Sequence, residues 1–509
     1  MVKKQILFCL LVLLLNVSER LLGQTFNQNL TTYRELAVNF SRLDPSGSAR
    51  IQSLGGAQVG LGGDYSSANS NPAGLGMFHR SEFTFTPAFN SNSSTTSYLG
   101  NNVNDSNSKI IVPGLSLVFH SPQEGRGSFL GGSFAITYNR TNDFNRSFTY
   151  EGVNNNNSII DLYGEQATGY PKSQFYDNNE LGNTPAFLAY ENYLISDEAP
   201  PNQDLYFTDI GINLAKTQRE KVLTQGSQSQ VNLSYGANFN DKFFVGFGLG
   251  LASLNFQSKK NYSEIFARDK YLNDLALDEE ITTKGGGINA TLGIIYKPVD
   301  FFQFGGSIAT PTAYALSDTY KATMATSWKN FPYSGNNVFE PVKPISTDVI
   351  LTDYSLTTPW RFAGGGTFFI KKYGFITAEV ELVNFASNSY NSSTPKLFDV
   401  DNNRIRYFYT SVTNYKFGGE FRLKTWRFRG GYNFLPDPHK TIENDTDNSI
   451  SSVSFGVGYK VSKFYIDATT VLSQANFSYR PYVISSNLTP LVTAKQTNTL
   501  VMVTLGFPF

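Results

Sequence analysis

Cysteine is almost absent from this chain of 509 residues, and its single example, Cys9, lies in an early apolar run. That run, Ile6 to Leu15, follows two lysines, which is the order of a secretory signal. We predict a signal peptide at residues 1–23, with cleavage after Gly23. The mature chain then has no cysteine, which excludes disulfides, thiolate metal sites and cysteine nucleophiles.

Histidine is also rare: the chain has only His79, His120 and His439, and their spacing is unlike that of metal ligands. The members of a Ser-His-Asp arrangement need not be adjacent in sequence, but nothing here points to one. Basic and acidic residues balance at 41 each, without a basic block, which argues against a nucleic-acid partner. We therefore predict a protein that is not an enzyme and that binds no cofactor or metal.

Long apolar runs are missing as well. Beyond the predicted signal peptide, no run approaches the roughly 18 to 20 apolar residues of a membrane-spanning helix. Charged residues are scarce at 16%, below the usual value of about 25%, whereas aromatic residues reach 15%. A spanning β-barrel fits this composition, because each of its strands shows lipid only every second residue.

Fourteen segments alternate between apolar and polar or small residues and end in turn residues, as strands do. The segment Phe243 to Leu251 is the clearest, because Gly246, Gly248 and Gly250 separate its large apolar residues. The predicted strands begin near Glu82, Lys109, Ser128, Ser229, Phe243, Lys284, Phe301, Ile350, Gly374, Ser411, Trp426, Ser449, Phe464 and Thr497.

The connections between these strands alternate strictly between short and long. Asn240 to Lys242 and Lys371 to Tyr373 are short, whereas Asn90 to Ser108, Arg140 to Gln228 and Lys259 to Thr283 are long. Outer-membrane barrels have short periplasmic turns and long outer loops. A soluble β-sandwich has no reason to sort its loops by side, so the order indicates a membrane barrel.

A barrel of fourteen strands encloses a bore too wide for its own side chains to fill, so something must block it. Residues 24–81 precede the first predicted strand and contain a stretch rich in Gly, Ala and Ser, from Ser48 to Leu75. Such residues build turns and short helical pieces that need surrounding walls. We predict an all-β fold, a 14-stranded antiparallel transmembrane β-barrel at residues 82–509, plugged by residues 24–81.

The same stretch carries a family resemblance. Its pattern of Gly55-Gly56-Ala57, Asp64, Ala68 and Asn71-Pro72-Ala73-Gly74-Leu75 resembles the N-terminal hatch of the FadL/TodX outer-membrane transporters of long-chain fatty acids and hydrocarbons. The resemblance implies that residues 24–81 are such a hatch. The residues implied to form and gate it are Gly55, Gly56, Asp64, Asn71, Pro72, Ala73 and Gly74.

The resemblance also implies a function. The protein would lie in the lipid of the bacterial outer membrane and take up hydrophobic small molecules, such as long-chain fatty acids, by passive, hatch-gated diffusion. The ligand would leave sideways through the wall, and Gly131 and Gly132 in the third strand are the candidate lateral opening. Phe509 resembles the C-terminal signal that the barrel insertion machinery, a partner during assembly, reads.

Charged residues on the inferred inward faces of strands eight to eleven have two interpretations. Arginine can grip a carboxylate with two parallel hydrogen bonds, so these strands are a candidate site for a ligand head group. Alternatively, the charges form salt bridges along the wall that hold the hatch, since charges facing a polar lumen are ordinary in such barrels. The candidate head-group residues are Arg361, Arg422, Arg427 and Arg429.

Two long connections have helical spacing. Thr184-Pro185 is a good cap and first-position pair for one helix, and Ser263 would cap another that carries Ile265, Phe266 and Leu272. Such loops would form either a capture groove for the ligand or a lid. Two other functions stay open: a haem-uptake receptor that uses His79, and a structural or secretion-associated barrel that binds a protein partner at its outer loops.

Overall fold

The computed structural model describes residues 32–123, 127–176, 182–197, 204–329, 343–441, 445–486 and 489–509. The predicted signal peptide at 1–23 and the first residues of the predicted plug lie outside the described residues. Within those ranges, no helix is long and apolar enough to cross a membrane.

Fourteen antiparallel strands form a closed ring, which confirms the predicted barrel. Each strand pairs with its neighbours in sequence, and Glu82 at the start of the first strand pairs with Pro508 at the end of the last. Pro311 and Pro359 interrupt the seventh and eighth strands, because proline cannot donate to the ladder. The strands are β1 Glu82–Tyr98, β2 Asn101–Pro122, β3 Phe129–Asp143, β4 Lys216–Phe239, β5 Phe243–Ile265, β6 Leu272–Val299, β7 Phe302–Ala309 with Ala313–Trp328, β8 Ile350–Thr357 with Arg361–Ile370, β9 Gly374–Asn384, β10 Ser411–Leu423, β11 Trp426–Leu435, β12 Ile450–Lys460, β13 Tyr465–Tyr479 and β14 Val492–Pro508.

Several strands continue well beyond their predicted ends at the long-loop end of the barrel. The predicted long loop Asn90 to Ser108 is instead a hairpin, with a tight turn at Leu99 and Gly100, both at positive φ. The helix predicted from Ser263 is wrong, since β5 runs to Ile265 and β6 begins at Leu272. Side chains in this region alternate with period two between the inner and outer faces of the strands. The apolar residues among them also fit the spacing of a helix, which is why the sequence pattern indicated one.

The long connection after β3 carries most of the structure outside the wall. A strand at Arg146–Asn154 pairs with β4, and three helical pieces follow it. The predicted cap is confirmed, because the Thr184 hydroxyl accepts a hydrogen bond from the amide of Phe187. The helices outside the lumen are α4 Ile159–Ala167, α5 Pro185–Glu191 and α6 Asp399–Phe408, with 3-10 turns at Lys172–Phe175 and Phe385–Ser387; α1 to α3 belong to the segment described next.

Residues 32–81, here called the N-terminal segment, lie inside the ring. The segment starts with α1, Tyr33–Ser41. It continues with α2 Ala49–Gln52, α3 Ser67–Ser70 and a 3-10 helix at Pro72–Met77. The 3-10 helix packs against β4, β5 and β6, and α2 packs against β12, β13 and β14 on the other side of the lumen.

The outer wall is apolar. Large aliphatic and aromatic side chains are exposed along every strand, whereas their sequence neighbours face the lumen. An apolar belt of this extent requires a lipid environment. Examples of its exposed residues are Phe247, Leu251, Leu292, Ile294, Phe304, Phe362, Ile376, Phe417, Phe428, Phe455, Ile466 and Val501.

Candidate functional site

Polar side chains of the wall bind the backbone of the N-terminal segment. Glu379 of β9 is almost fully buried, and its Oε2 accepts hydrogen bonds from the amides of Gln58 and Val59, at 2.8 and 2.9 Å. Its Oε1 accepts one from Nζ of Lys416, at 2.7 Å. Gln303 of β7 donates to two further carbonyls of the segment. Because the segment has little core of its own, these bonds fix its path through the lumen.

In the Asn-Pro-Ala motif, both polar atoms of the asparagine side chain form hydrogen bonds. Nδ2 of Asn71 donates to the carbonyls of Val59, at 2.7 Å, and of Ile294 in β6, at 3.1 Å. Its Oδ1 accepts from the amide of Ala73 and so caps the 3-10 helix, in which Pro72 is the first residue. The motif therefore joins two turns of the segment to the wall.

Asp64 connects the first and middle parts of the segment. Its carboxylate accepts hydrogen bonds from the hydroxyl of Ser48, at 2.8 Å, and from the amide and hydroxyl of Ser66. Gly55 and Gly56 have φ values of +67° and +81°, which glycine adopts without steric cost. The predicted hatch residues thus occupy turns and caps within one continuous segment.

Glycine lines the wall where the segment touches it. A Cβ atom added to Gly246 of β5 would overlap the backbone of Pro72. One added to Gly236 of β4 would lie 2.5 Å from the Pro72 carbonyl oxygen, and one added to Gly418 of β10 would lie 2.5 Å from that of Leu54. The inward glycines of the strands therefore let the segment's backbone approach the barrel backbone closely.

The four candidate arginines lie in two places, and each has a protein partner. Arg361 of β8 pairs with Glu381, at 3.0 Å, and also donates to the carbonyl of Ser41 in the N-terminal segment. The other three lie near the short turn between β10 and β11, where Arg422 and Arg429 both bind Glu420 and Arg427 donates to turn carbonyls. The arrangement is that of ion pairs along the wall.

Sequence reasoning missed another arginine. Arg146 begins the strand that follows β3, and among the described residues its guanidinium has no hydrogen bond and no ion pair within 4 Å. It lines two cavities of about 110 and 280 Å³, which share Arg146, Ile450, Ala475 and Gln496 and therefore adjoin. No sequence signal marked Arg146, because the residues that line the cavities with it are distant in sequence.

The two adjoining cavities differ in character on either side of Arg146. Several amide side chains line the smaller cavity. Within the described part of the chain, Oδ1 of Asn90, Oδ1 of Asn498 and both polar atoms of the Asn433 side chain have no hydrogen-bond partner. The larger has the more apolar surface of the two. Its apolar lining residues are Phe144, Phe148, Val222, Phe256, Ile450, Ala475 and Phe477. Together the cavities place the Arg146 guanidinium and the amide of Asn433 beside an apolar wall.

Two ionisable residues of the N-terminal segment also line these cavities. Burial raises the pKa of the Asp44 carboxyl, and the nearby Arg146 guanidinium opposes that rise. Burial lowers the pKa of Arg42 to about 10, although Asp437 and Asp44 counteract the effect. The Arg42 guanidinium donates to the carbonyls of Leu435, Pro436 and Asn448. Arg146 therefore faces the N-terminal segment, and the hydrogen bonds of Arg42 hold that segment against the wall.

The wall is closed at the predicted lateral opening and incomplete elsewhere. Gly131 and Gly132 are paired on both sides, to β2 and to β4, with a bulge beside Gly131. The ladder between β2 and β3 ends at Gly114, so the part of β2 from Asn101 to Pro113 pairs only with β1. We call this edge the β2 seam. Side chains bridge it, among them Asp105 of β2, whose carboxylate accepts a hydrogen bond from the Ser147 hydroxyl at 2.6 Å.

The histidines lie apart from the cavities. His120 contacts the hydroxyl of Ser133, at 3.1 Å, near a short turn, and His439 pairs with Asp437 in a long loop. His79 follows the 3-10 helix and is exposed. Within the described ranges, no group of three or more His, Cys, Asp or Glu side chains has an arrangement that holds a metal ion.

These features define a class: a membrane-type β-barrel with a polar lumen occupied by its own N-terminal segment. No family model matches the chain, and no curated protein matches it in sequence. Its fold is similar to that of a FadL homologue from Pseudomonas aeruginosa, with a TM-score of 0.54 and 11% identity over 92% of this chain and 99% of the other. The toluene transporter TodX of P. putida gives a TM-score of 0.50 and 12% identity, over 92% and 99% of the two chains. The predicted resemblance to the FadL/TodX family is thus confirmed for the fold.

Proposed function

We propose that this chain is a channel of the bacterial outer membrane that takes up hydrophobic small molecules, such as long-chain fatty acids, by passive, hatch-gated diffusion. The observation that carries the proposal is the pair of cavities around Arg146. An anionic head group would accept hydrogen bonds from the Arg146 guanidinium and from Nδ2 of Asn433, and the hydrocarbon part would lie against Phe148 and Phe477. The family resemblance and the shared fold support the same function.

The position of Arg146 suggests how a ligand would move the N-terminal segment, which we propose to be the hatch. Arg146 and Asp44 line one cavity, and the charge of Arg146 favours ionisation of Asp44. A ligand carboxylate on Arg146 would compete with that interaction. Asp44 is otherwise held by a hydrogen bond from its amide to the Thr141 carbonyl, at 3.0 Å. Ligand binding would therefore loosen the segment between α1 and α2.

Arg146→Gln tests the site. Purified wild-type barrel in mild detergent is expected to retain a fatty acid or another anionic lipophile, detected by mass spectrometry of the extract. A hydrogen bond to a charged group contributes about 1.5 to 3 kcal/mol, so the variant should bind this ligand about ten- to a hundredfold more weakly. The matched control is Arg219→Gln, because Arg219 is exposed outside the cavities and pairs only with exposed Glu151.

The possible outcomes distinguish an error in the head-group site from an error in the proposed function. If Arg146→Gln retains as much lipophile as the control, the head-group site is wrong while uptake of hydrophobic molecules stands. Recovery of haem, or of a bound protein in place of any lipophile, would instead contradict the uptake function itself and favour one of the two other functions that the sequence left open.

We further propose that the ligand leaves the lumen at the β2 seam. The seam lacks backbone pairing between β2 and β3 beyond Gly114, whereas Gly131 and Gly132 are paired with both neighbouring strands. A photoreactive fatty acid bound to the barrel should cross-link to peptides around Val112. Cross-links concentrated around Gly132 instead would restore the opening that the sequence predicted.

A further inference from the structure

The short-turn end of the barrel is unevenly charged. Three neighbouring turns, those between β8 and β9, β10 and β11, and β12 and β13, carry basic side chains that face solvent or the rim. We call these residues the basic arc. Its members are Lys371, Lys372, Arg422, Lys424, Arg427, Lys460 and Lys463.

No exposed carboxylate in the described residues of these three turns balances the arc. Glu420 and Asp467 lie nearest in sequence, but their side chains are only 3% and 6% exposed. Both bind Arg429 on the lumen side, and Glu420 also pairs with Arg422 of the arc. The turns after β4 and β6 differ. Asp241 accompanies Lys242 in one, and Lys297 pairs with Asp300 at 3.0 Å in the other. The positive charge is therefore local to one side of the rim.

Aromatic side chains place the arc at the level of lipid head groups. Tyr373, Trp426 and Phe464 flank the same three turns and are exposed on the outer wall. Nζ of Lys372 lies 5.7 Å from the centre of the Tyr373 ring. Aromatic rings at the edge of an apolar wall, next to basic side chains, are typical of the membrane interface. This position favours a lipid over a protein as the partner of the arc.

We propose that the basic arc is a binding surface for the anionic head groups of glycerophospholipids in the leaflet at the short-turn end. Adjacent strands lie about 4.8 Å apart, so successive short turns are about 10 Å apart along the rim. Several head groups can then bind side by side, each between cations from neighbouring turns. The inference depends on the barrel spanning a membrane and not on which molecule it transports.

The test removes four exposed cations that have no side-chain ion pair in the described structure: Lys371→Gln, Lys372→Gln, Lys424→Gln and Lys463→Gln in one variant. The probe is phosphatidylglycerol, titrated against phosphatidylcholine and counted on the full barrel by native mass spectrometry. Each basic residue near an anionic surface contributes about fivefold to binding, so the variant should bind phosphatidylglycerol at least tenfold more weakly.

The control variant removes the same charge from exposed lysines near the long-loop end, Lys221→Gln, Lys270→Gln, Lys321→Gln and Lys396→Gln. It is expected to bind phosphatidylglycerol as wild type does, and unchanged thermal unfolding shows that both variants fold. The proposal is overturned if the two variants lose phosphatidylglycerol equally, if wild type shows no preference over phosphatidylcholine, or if the arc variant loses only an acidic protein.

Discussion

Glu379→Ala is expected to release the middle of the N-terminal segment and to destabilise the barrel by about 3 to 5 kcal/mol, the cost of breaking a buried ion pair. The change leaves Lys416 without its carboxylate partner at 2.7 Å and two amides, those of Gln58 and Val59, without acceptors. The free energy of unfolding is measured by denaturant titration in detergent. Leakage of small polar solutes through the lumen is measured as entry of a small sugar into liposomes that contain the barrel.

Glu280→Ala is the matched control for this prediction. Glu280 also pairs with a lysine, Lys259, at 3.3 Å, but both side chains are more than 40% exposed. Exposed pairs contribute at most about 1 kcal/mol, so the control should stay close to wild type in stability and in leak. Equal behaviour of the two variants would show that the bonds from Glu379 do not hold the segment.

Gly246→Ala is expected to have the second large effect. The added methyl group would overlap the backbone of Pro72 and Ala73, which has no flexible end that can move aside. Overpacking of this kind costs about 1 to 3 kcal/mol, and here it would push the Asn-Pro-Ala motif away from the wall. We expect a lower unfolding temperature together with faster entry of the small sugar.

The control for the glycine prediction lies in another strand of the same wall. A Cβ atom at Gly364 of β8 would meet nothing within 4 Å, so Gly364→Ala should be neutral or slightly stabilising. If Gly246→Ala matches Gly364→Ala in both measurements, close contact with the motif is not why glycine occupies position 246.

The sequence predicted the lipid-facing part of the barrel well because burial in lipid imposes a period of two on apolar residues. Phe243 to Leu251 shows this, with large residues outside and glycine inside. Beyond the lipid the constraint disappears. The hairpin between Asn90 and Ser108 consists mainly of Ser, Thr and Asn, with too few apolar residues to show an alternating pattern, so its strands resembled a loop.

The candidate site was less predictable because its geometry depends on distant pairings. Strand pattern placed Arg361 and Arg429 on the inward face, but only the register of β8 to β13 shows which carboxylates they meet. Arg146 lies in a segment that the sequence assigned to a loop, and its neighbours in the cavity come from the N-terminal segment, β1, β3 and β11 to β14. The motif Asn71-Pro72-Ala73 was recognisable because its bonds are partly local.

The contacts of the N-terminal segment have a consequence for the order of assembly. The segment precedes β1 in the chain, yet the amide of Ala49 donates to the Thr504 hydroxyl of β14, the last strand, at 2.8 Å. The same hydroxyl contacts Thr86 of β1, at 2.9 Å, where the ring closes. The first part of the chain therefore cannot form its final contacts until the last part has been made. Those contacts lie where the ring closes, so seating of the segment belongs to the late steps of biogenesis.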